Sequence, residues 1–211
     1  MVGDWDGDGT DTLGVRRVAA PAPPAAPTAA SLLAGLTVSV ENGAGYDRSY
    51  FRHWTDADGD GCDTRSEVLQ DETAVPVTYG NGCTVATGRW YSYYDAMTWT
   101  LASDVDIDHM VPLAVAWASG ARDWTAIRRE AYANDLTYPG SLVAVTDNVN
   151  ASKSDRDPAE WLPAFERCRY AIEWVSVKYR WQLTIDPAEK TALDGQFAGT
   201  CGQTPVTVPK S

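Results

Sequence analysis

Long apolar runs are missing from this chain of 211 residues. No stretch reaches the ~18 consecutive apolar residues that a membrane span requires, so a soluble protein with no membrane partner is expected. Histidine is scarce: the chain has only His53 and His109. Positive charge is also short, with 17 Lys and Arg against 29 Asp and Glu and a formal net charge of −12. That deficit speaks against capture of nucleic acid by a broadly basic surface. It does not speak against an acidic site that binds a divalent ion, because the bound ion reverses the local sign. No Cys-x-x-Cys joins any of the four cysteines, which weakens zinc and thioredoxin-like readings. Met1-Val2-Gly3-Asp4 has neither a basic start nor an apolar stretch, so no signal peptide is visible.

Aromatic and apolar side chains are plentiful. Nine Trp, ten Tyr and a hydrophobic content of 44% suffice for a packed core, and the length fits one domain plus some extra sequence. Cys62, Cys83, Cys168 and Cys201 admit three pairings. The sequential pairing closes separate loops over the N-terminal part and the C-terminal helices, and it suggests an oxidising, extracellular setting. Cysteines and N-terminus thus disagree about compartment. A start site inside a longer gene, or a truncated fragment, would reconcile them.

Four regions are expected. Residues 1–17, with Asp4, Asp6 and Asp8 alternating before Gly9, form a tight loop whose carboxylates can converge on calcium. The stretch resembles a lone FG-GAP/VCBS repeat, a remnant without the neighbours such repeats need. Residues 18–35 read as a Pro/Ala-rich linker, semi-rigid because proline favours an extended backbone. The domain is placed at 36–205, with a tail at 206–211. The acidity belongs to the domain: setting aside Arg16 and Arg17, and Asp4, Asp6, Asp8 and Asp11, leaves 15 basic against 25 acidic residues.

Within the domain the pattern predicts a short helix or turn at Tyr46–Trp54 and a helix at Arg65–Asp71. A hairpin is expected over Val75–Val85, turned at Asn81-Gly82 because Asn-Gly supplies the positive φ a tight turn needs. Strands are expected at Arg89–Thr98, Asp104–Asp108 and Leu142–Val145. Helices are expected at Pro112–Ser119, stopped by Gly120, at Thr125–Asn134, and after Asp147 as N-cap. A longer helix at Arg167–Trp181 and a last one from Pro187 to near Cys201 complete the reading.

Chemistry concentrates at Asp104-Val105-Asp106-Ile107-Asp108-His109 and, some 40 residues on, at Asn148-Val149-Asn150-Ala151-Ser152-Lys153. A histidine takes a proton near neutral pH. Beside it Asp108, with Asn150 from the following helix, offers hard oxygens to Mg²⁺ or another divalent cation. His109 is then the general base for water attack on phosphorus. Lys153 lies near the Asn150 face of the helix and is expected to neutralise the scissile phosphate. Strand, Asp-His, strand and helix make an α+β, ββα-metal arrangement, with added helices and a hairpin. A second constellation, Asp56-Ala57-Asp58-Gly59-Asp60-Gly61 with Glu67, matches an EF-hand loop for structural Ca²⁺; a plain Asp/Gly surface turn is the alternative, and an Arg65–Glu67 ion pair near the active site is a further one. His53 is expected to be a packing or surface residue, and the Trp90–Trp99 aromatic cluster mainly sheet core.

The run Asp106–Leu113 with Ala116–Ala121, Tyr132–Leu136 and Ala144–Pro163 resembles the secreted HNH endonuclease family proteins of actinobacteria, which are similar to the C-terminal nuclease domain of GmrSD-type restriction enzymes. The resemblance spans about Tyr46 to Cys201. It implies His109 as base, Asp108 and Asn150 at the metal, a nucleic acid substrate (DNA, or RNA) and an oxidised, exported domain. Asp106 is taken as a supporting residue. Ser141 departs from the pattern where related nucleases often carry a bracing Asn, so Asn134 or Asn148 is expected to take that role. Two alternatives stay open: a secreted calcium-binding or adhesion module with a degenerate centre, and a toxin-like effector paired with an immunity protein.

Overall fold

The computed structural model describes residues 2–4, 7–9, 12–13 and 26–211. In the N-terminal piece, β1 (Val2–Gly3) pairs antiparallel with β2 (Thr12–Leu13). The Asp4 carboxylate accepts the N–H groups of Gly7, Asp8 and Gly9. Linker residues 18–25, and Asp6 and Asp11 of the repeat-like motif, lie outside the described residues.

The expected linker is too long at its C-terminal end. Thr28 caps α1 (Ala29–Gly35) in a capping box with Ser31, and Ala29, Leu32 and Leu33 enter the main core. Composition hid this helix, because its Ala-rich start continues the Ala-rich linker. The expected tail is likewise packed. Val206 is buried and its N–H donates to Pro27 O at 2.8 Å, while Arg180 donates to Pro209 O.

Helix α2 (Thr64–Glu72) starts at Asp63, whose carboxylate accepts Ser66 N–H. A three-stranded antiparallel sheet follows, built from β3 (Thr78–Tyr79), β4 (Val85–Ser92) and β5 (Met97–Leu101) in that order. Its first turn carries Gly82 at φ 60°, as Asn-Gly predicts. The single strand expected at Arg89–Thr98 is instead two strands joined at Tyr93–Ala96. Ala96 adopts φ 59°, and Tyr93 and Tyr94, although adjacent, are both buried in the main core. Strict alternation would have sent them to opposite faces.

The site rests on a second, two-stranded sheet. β6 (Val105–His109) pairs antiparallel with β7 (Leu142–Thr146), from Val105↔Thr146 to His109↔Leu142. A two-stranded ribbon is marginal alone; this one is buried on both faces. Val105, Ile107, Leu142 and Ala144 face a smaller core with Val68, Leu69 and Trp90. Val143 and Val145 face the larger core formed with α1 and the later helices. Cross-strand partners share a face, so Asp106 and Asp108, opposite Val145 and Val143, point toward the larger core.

Helix α3 (Leu113–Ala118) ends before Gly120, whose φ of 125° suits glycine alone. α4 (Ala126–Ala133) begins at the Thr125 cap. α5 (Asp147–Lys153) follows β7 without a loop. Its N-cap is Thr146 rather than Asp147, and the Thr146 hydroxyl is occupied by Trp99 Nε1 and Asp95. α6 (Arg167–Trp181) is as expected, burying Tyr170, Trp174, Val177 and Trp181. α7 (Pro187–Gln196), capped by Asp186 and Glu189, stops short of Cys201, which lies in a 3-10 turn.

The disulfides are the sequential pair. Cys62–Cys83 joins the loop before α2 to the β3–β4 turn, and Cys168–Cys201 joins α6 to the turn after α7, with Cα–Cα distances of 5.0 and 5.7 Å. No helix among the described residues is long and apolar enough to cross a membrane.

Candidate active site

Asp108 leaves β6 on the face covered by α5, and Lys153 is the last residue of α5. The Lys153 ammonium is fully buried and lies 2.8 Å from Asp108 Oδ1 and 2.7 Å from Oδ2. It also donates to the His109 carbonyl at 3.0 Å. Tyr94 donates its hydroxyl to Asp108 Oδ2 at 2.6 Å. Burial raises the Asp108 carboxyl and lowers the Lys153 ammonium, while each partner pulls the other back toward its charged form. With contacts this short and a third donor from Tyr94, the ionised pair is the stable state. Lys153 was expected to meet substrate phosphate. Its ammonium is instead spent inside the protein, tying α5 to the end of β6.

His109 closes β6 with 7% of its surface exposed. Its Nε2 lies 2.9 Å from the Ala133 carbonyl. A carbonyl can only accept, so Nε2 carries the proton and Nδ1 keeps its lone pair. Burial holds the imidazole neutral, lowering its pKa to about 3; the Ala133 bond opposes this, and the charge of Arg48 adds to it. Trp54 lies against the ring, centroid to centroid 5.3 Å with planes tilted 33°. Trp54 has the uncommon φ of 57°.

Asn134 holds both sides of this arrangement. Its Oδ1 accepts from Thr55 N–H and the Thr64 hydroxyl, and its Nδ2 donates to the Arg52 and Glu130 carbonyls. One residue before it is the carbonyl that orients His109; across it is the segment that carries Trp54. The next residue, Asp135, is locked to α6 by a two-nitrogen contact from Arg180 at 2.8 and 3.1 Å, with Ser141 and Trp181 also donating. The Ser141 hydroxyl therefore serves Asp135. Asn148 is exposed on α5, and the bracing contacts belong to Asn134.

His109, Asp108 and Asn150 line one cleft of about 270 Å³, together with Arg48, Ser154 and Asp155. Asn150 Nδ2 donates to Asp106 Oδ2 at 3.2 Å, which leaves its carbonyl oxygen available as an acceptor. The donors suit a hard cation. An ionised carboxylate offers about four lone-pair sites; Lys153 and Tyr94 take three on Asp108, leaving one on Oδ1. Asp106, half-buried beside Asn150, adds another carboxylate.

Arg48, Tyr94, Trp54 and the Ala133 carbonyl escaped the reading of the sequence. Tyr94 sits in an aromatic run read as alternating, and a backbone carbonyl has no sequence signature. His53 is half-buried, its Nδ1 on the Phe51 carbonyl and its ring 6.3 Å from that of His109. In the aspartate loop, carboxylate oxygens of Asp56, Asp58 and Asp60 lie within 4.8 Å of one another; Glu67 is outside this group. Arg65 donates to the Ala102 and Val105 carbonyls rather than pairing with Glu67.

Residues 63–194 match the family described as GmrSD restriction endonucleases, C-terminal domain. A protein of Arthroderma benhamiae named "Uncharacterized secreted protein" is 47% identical over 182 residues, covering 84% of this chain and 87% of that protein. This relative is fungal, and neither match supports the expected tie to actinobacteria or the repeat remnant at 1–17. No solved structure matches the chain.

Proposed function

This chain belongs to the family of the C-terminal domains of GmrSD restriction endonucleases, and from that premise we propose that it is a metal-dependent endonuclease hydrolysing phosphodiester bonds in DNA, with RNA as the alternative substrate. The strands β6 and β7 with α5 serve as a ββα-metal core. The observation that carries the reading is His109: its proton is fixed on Nε2 by the Ala133 carbonyl, which leaves Nδ1 with its lone pair, and the residue lines a polar cleft shared with Asn150 and Asp108.

His109 acts as general base, Nδ1 taking the proton of the attacking water. By itself the buried ring has a low affinity for that proton, because burial disfavours the imidazolium. An anionic phosphate beside the ring favours the charged form, so substrate itself strengthens the base. Asp108 Oδ1, the Asn150 carbonyl oxygen and Asp106 would hold Mg²⁺ or a similar ion. When bound, the ion supplies Lewis-acid stabilisation of phosphate charge. Lys153 keeps the Asp108 carboxylate ionised and aimed; Tyr94 fixes its other oxygen. The disulfides and the secreted relative support export of this chain as well.

The rival reading, a secreted calcium-binding module with a degenerate centre, draws on the Asp56, Asp58 and Asp60 group. Plasmid and RNA degradation with Mg²⁺, with EDTA and with His109→Ala separates the two. We expect cleavage that needs the ion and is lost in His109→Ala. Cleavage that survives His109→Ala, or no cleavage with any divalent ion, would sink the proposed chemistry.

A further inference from the structure

Burial of Lys153 leaves the cleft without the cation that was expected to receive the phosphate. Among the described residues lining the cleft, Arg48 is the cation whose side chain reaches solvent. It occupies a 3-10 turn, Arg48–Tyr50, begun by Asp47, whose carboxylate accepts Ser49 N–H. Aromatic contacts pin this turn to α3: Tyr50 stacks on Trp117 at 5.2 Å, and Tyr46 and Phe51 meet the same indole edge-on at 6.3 and 6.5 Å. Phe51 is fully buried, which anchors the turn. Arg48 is thus carried on a rigid rim. The neighbouring Tyr46 hydroxyl is a neutral group and leaves the Arg48 charge available.

We propose that Arg48 binds the scissile phosphate, facing His109 across the cleft, and that it takes the place sequence spacing gave to Lys153. The inference rests on the nuclease reading above. A guanidinium suits the task because its planar fork meets two phosphate oxygens at once. It also resolves an electrostatic problem. The protein carries a net charge of −12 and the cleft rim includes Asp155, so a polyanion needs a local cation to enter. A lysine at position 48 would keep the charge and lose the fork.

The test is binding of a fluorescein-labelled oligonucleotide, by anisotropy, to the full chain in a His109→Ala background with Mg²⁺ across a salt series. Arg48→Ala should weaken binding at least tenfold and reduce the slope of log K against log salt by about 0.7–0.9, one phosphate contact. Arg48→Lys should keep most of that slope. In the active protein, Arg48→Lys should still lower kcat, because the bidentate contact is gone. Arg52→Ala is the control. Arg52 is exposed and pairs with Glu130 at 3.6 Å outside the cleft, and its loss should leave the slope unchanged. Unchanged affinity and slope in Arg48→Ala, or an effect no larger than that of Arg52→Ala, overturns the assignment while wild-type cleavage leaves the nuclease reading standing. Absence of both cleavage by the wild type and oligonucleotide binding overturns the nuclease reading, and this assignment with it.

Discussion

Replacing Lys153 by Met tests whether that lysine holds the site together or touches substrate. Methionine matches the length of the lysine stem and removes the charge. Asp108, only 5% exposed, would then keep the Tyr94 hydroxyl as its one side-chain donor. Removing one member of a buried ion pair costs about 3–5 kcal/mol, because the remaining charge is left unpaired. For a chain of this size that corresponds to a fall in Tm of roughly 6–20 °C. The penalty should depend on pH in a definite direction. Without Lys153, burial raises the Asp108 carboxyl above its unfolded value, so the folded state binds its proton more readily. The cost is then full at neutral pH and shrinks as the pH falls through the raised value. Adding Asp108→Asn should recover at least half of the lost stability, since the amide still accepts from Tyr94 and carries no charge. Thermal denaturation of the wild type, Lys153→Met and the double variant between pH 5 and 8 measures all of this. A fall of less than about 2 °C in Lys153→Met, together with loss of cleavage, would mean that Lys153 acts on substrate and that the buried pair is misread.

Glu72 gives a pH test away from the cleft. Burial raises its carboxyl to about 7, against the N–H that Ala144 donates to it at 3.0 Å. A raised carboxyl stabilises the fold at low pH, so roughly 3 kcal/mol should be lost as the pH climbs from about 4.5 through 7. Glu72→Gln, which keeps an acceptor for Ala144, should flatten that decline in denaturant titrations; an unaltered profile contradicts it. Asn150→Ala should lower cleavage and weaken its dependence on Mg²⁺ concentration far more than Asn148→Ala, because Asn150 alone lies in the cleft; equal losses would remove Asn150 as the ligand. Replacing Cys168 and Cys201 by Ala should lower unfolding free energy by about 3–4 kcal/mol, from the loop of 33 residues that the bond closes. Equal stability of the two proteins in urea would show that the bond adds nothing.

Much of the frame was legible in residue order. α6 matches its helical spacing from Arg167 to Trp181, Gly120 ends α3, and Asn81-Gly82 turns the first hairpin. These features are local, set by periodicity and by backbone angles that few residues tolerate. The expected strand at Arg89–Thr98 failed where burial overrode alternation, since Tyr93 and Tyr94 both reach the core around the Ala96 turn. The start of the domain was misplaced because an Ala-rich helix and an Ala-rich linker differ in what they pack against, and composition does not record that.

The sequence by itself picked out Asp108, His109, Asn150 and Lys153, because chemistry at neutral pH needs those residue types and two short segments hold them. Only the tertiary structure divided their work. Lys153 falls on the covered side of α5 and is consumed by Asp108, while Arg48, some 60 residues before His109, arrives at the open side on a turn stacked against Trp117. Spacing along a helix says which residues are neighbours. Whether a charge meets water or a buried partner depends on what packs over it, and that is decided by contacts far apart in the chain.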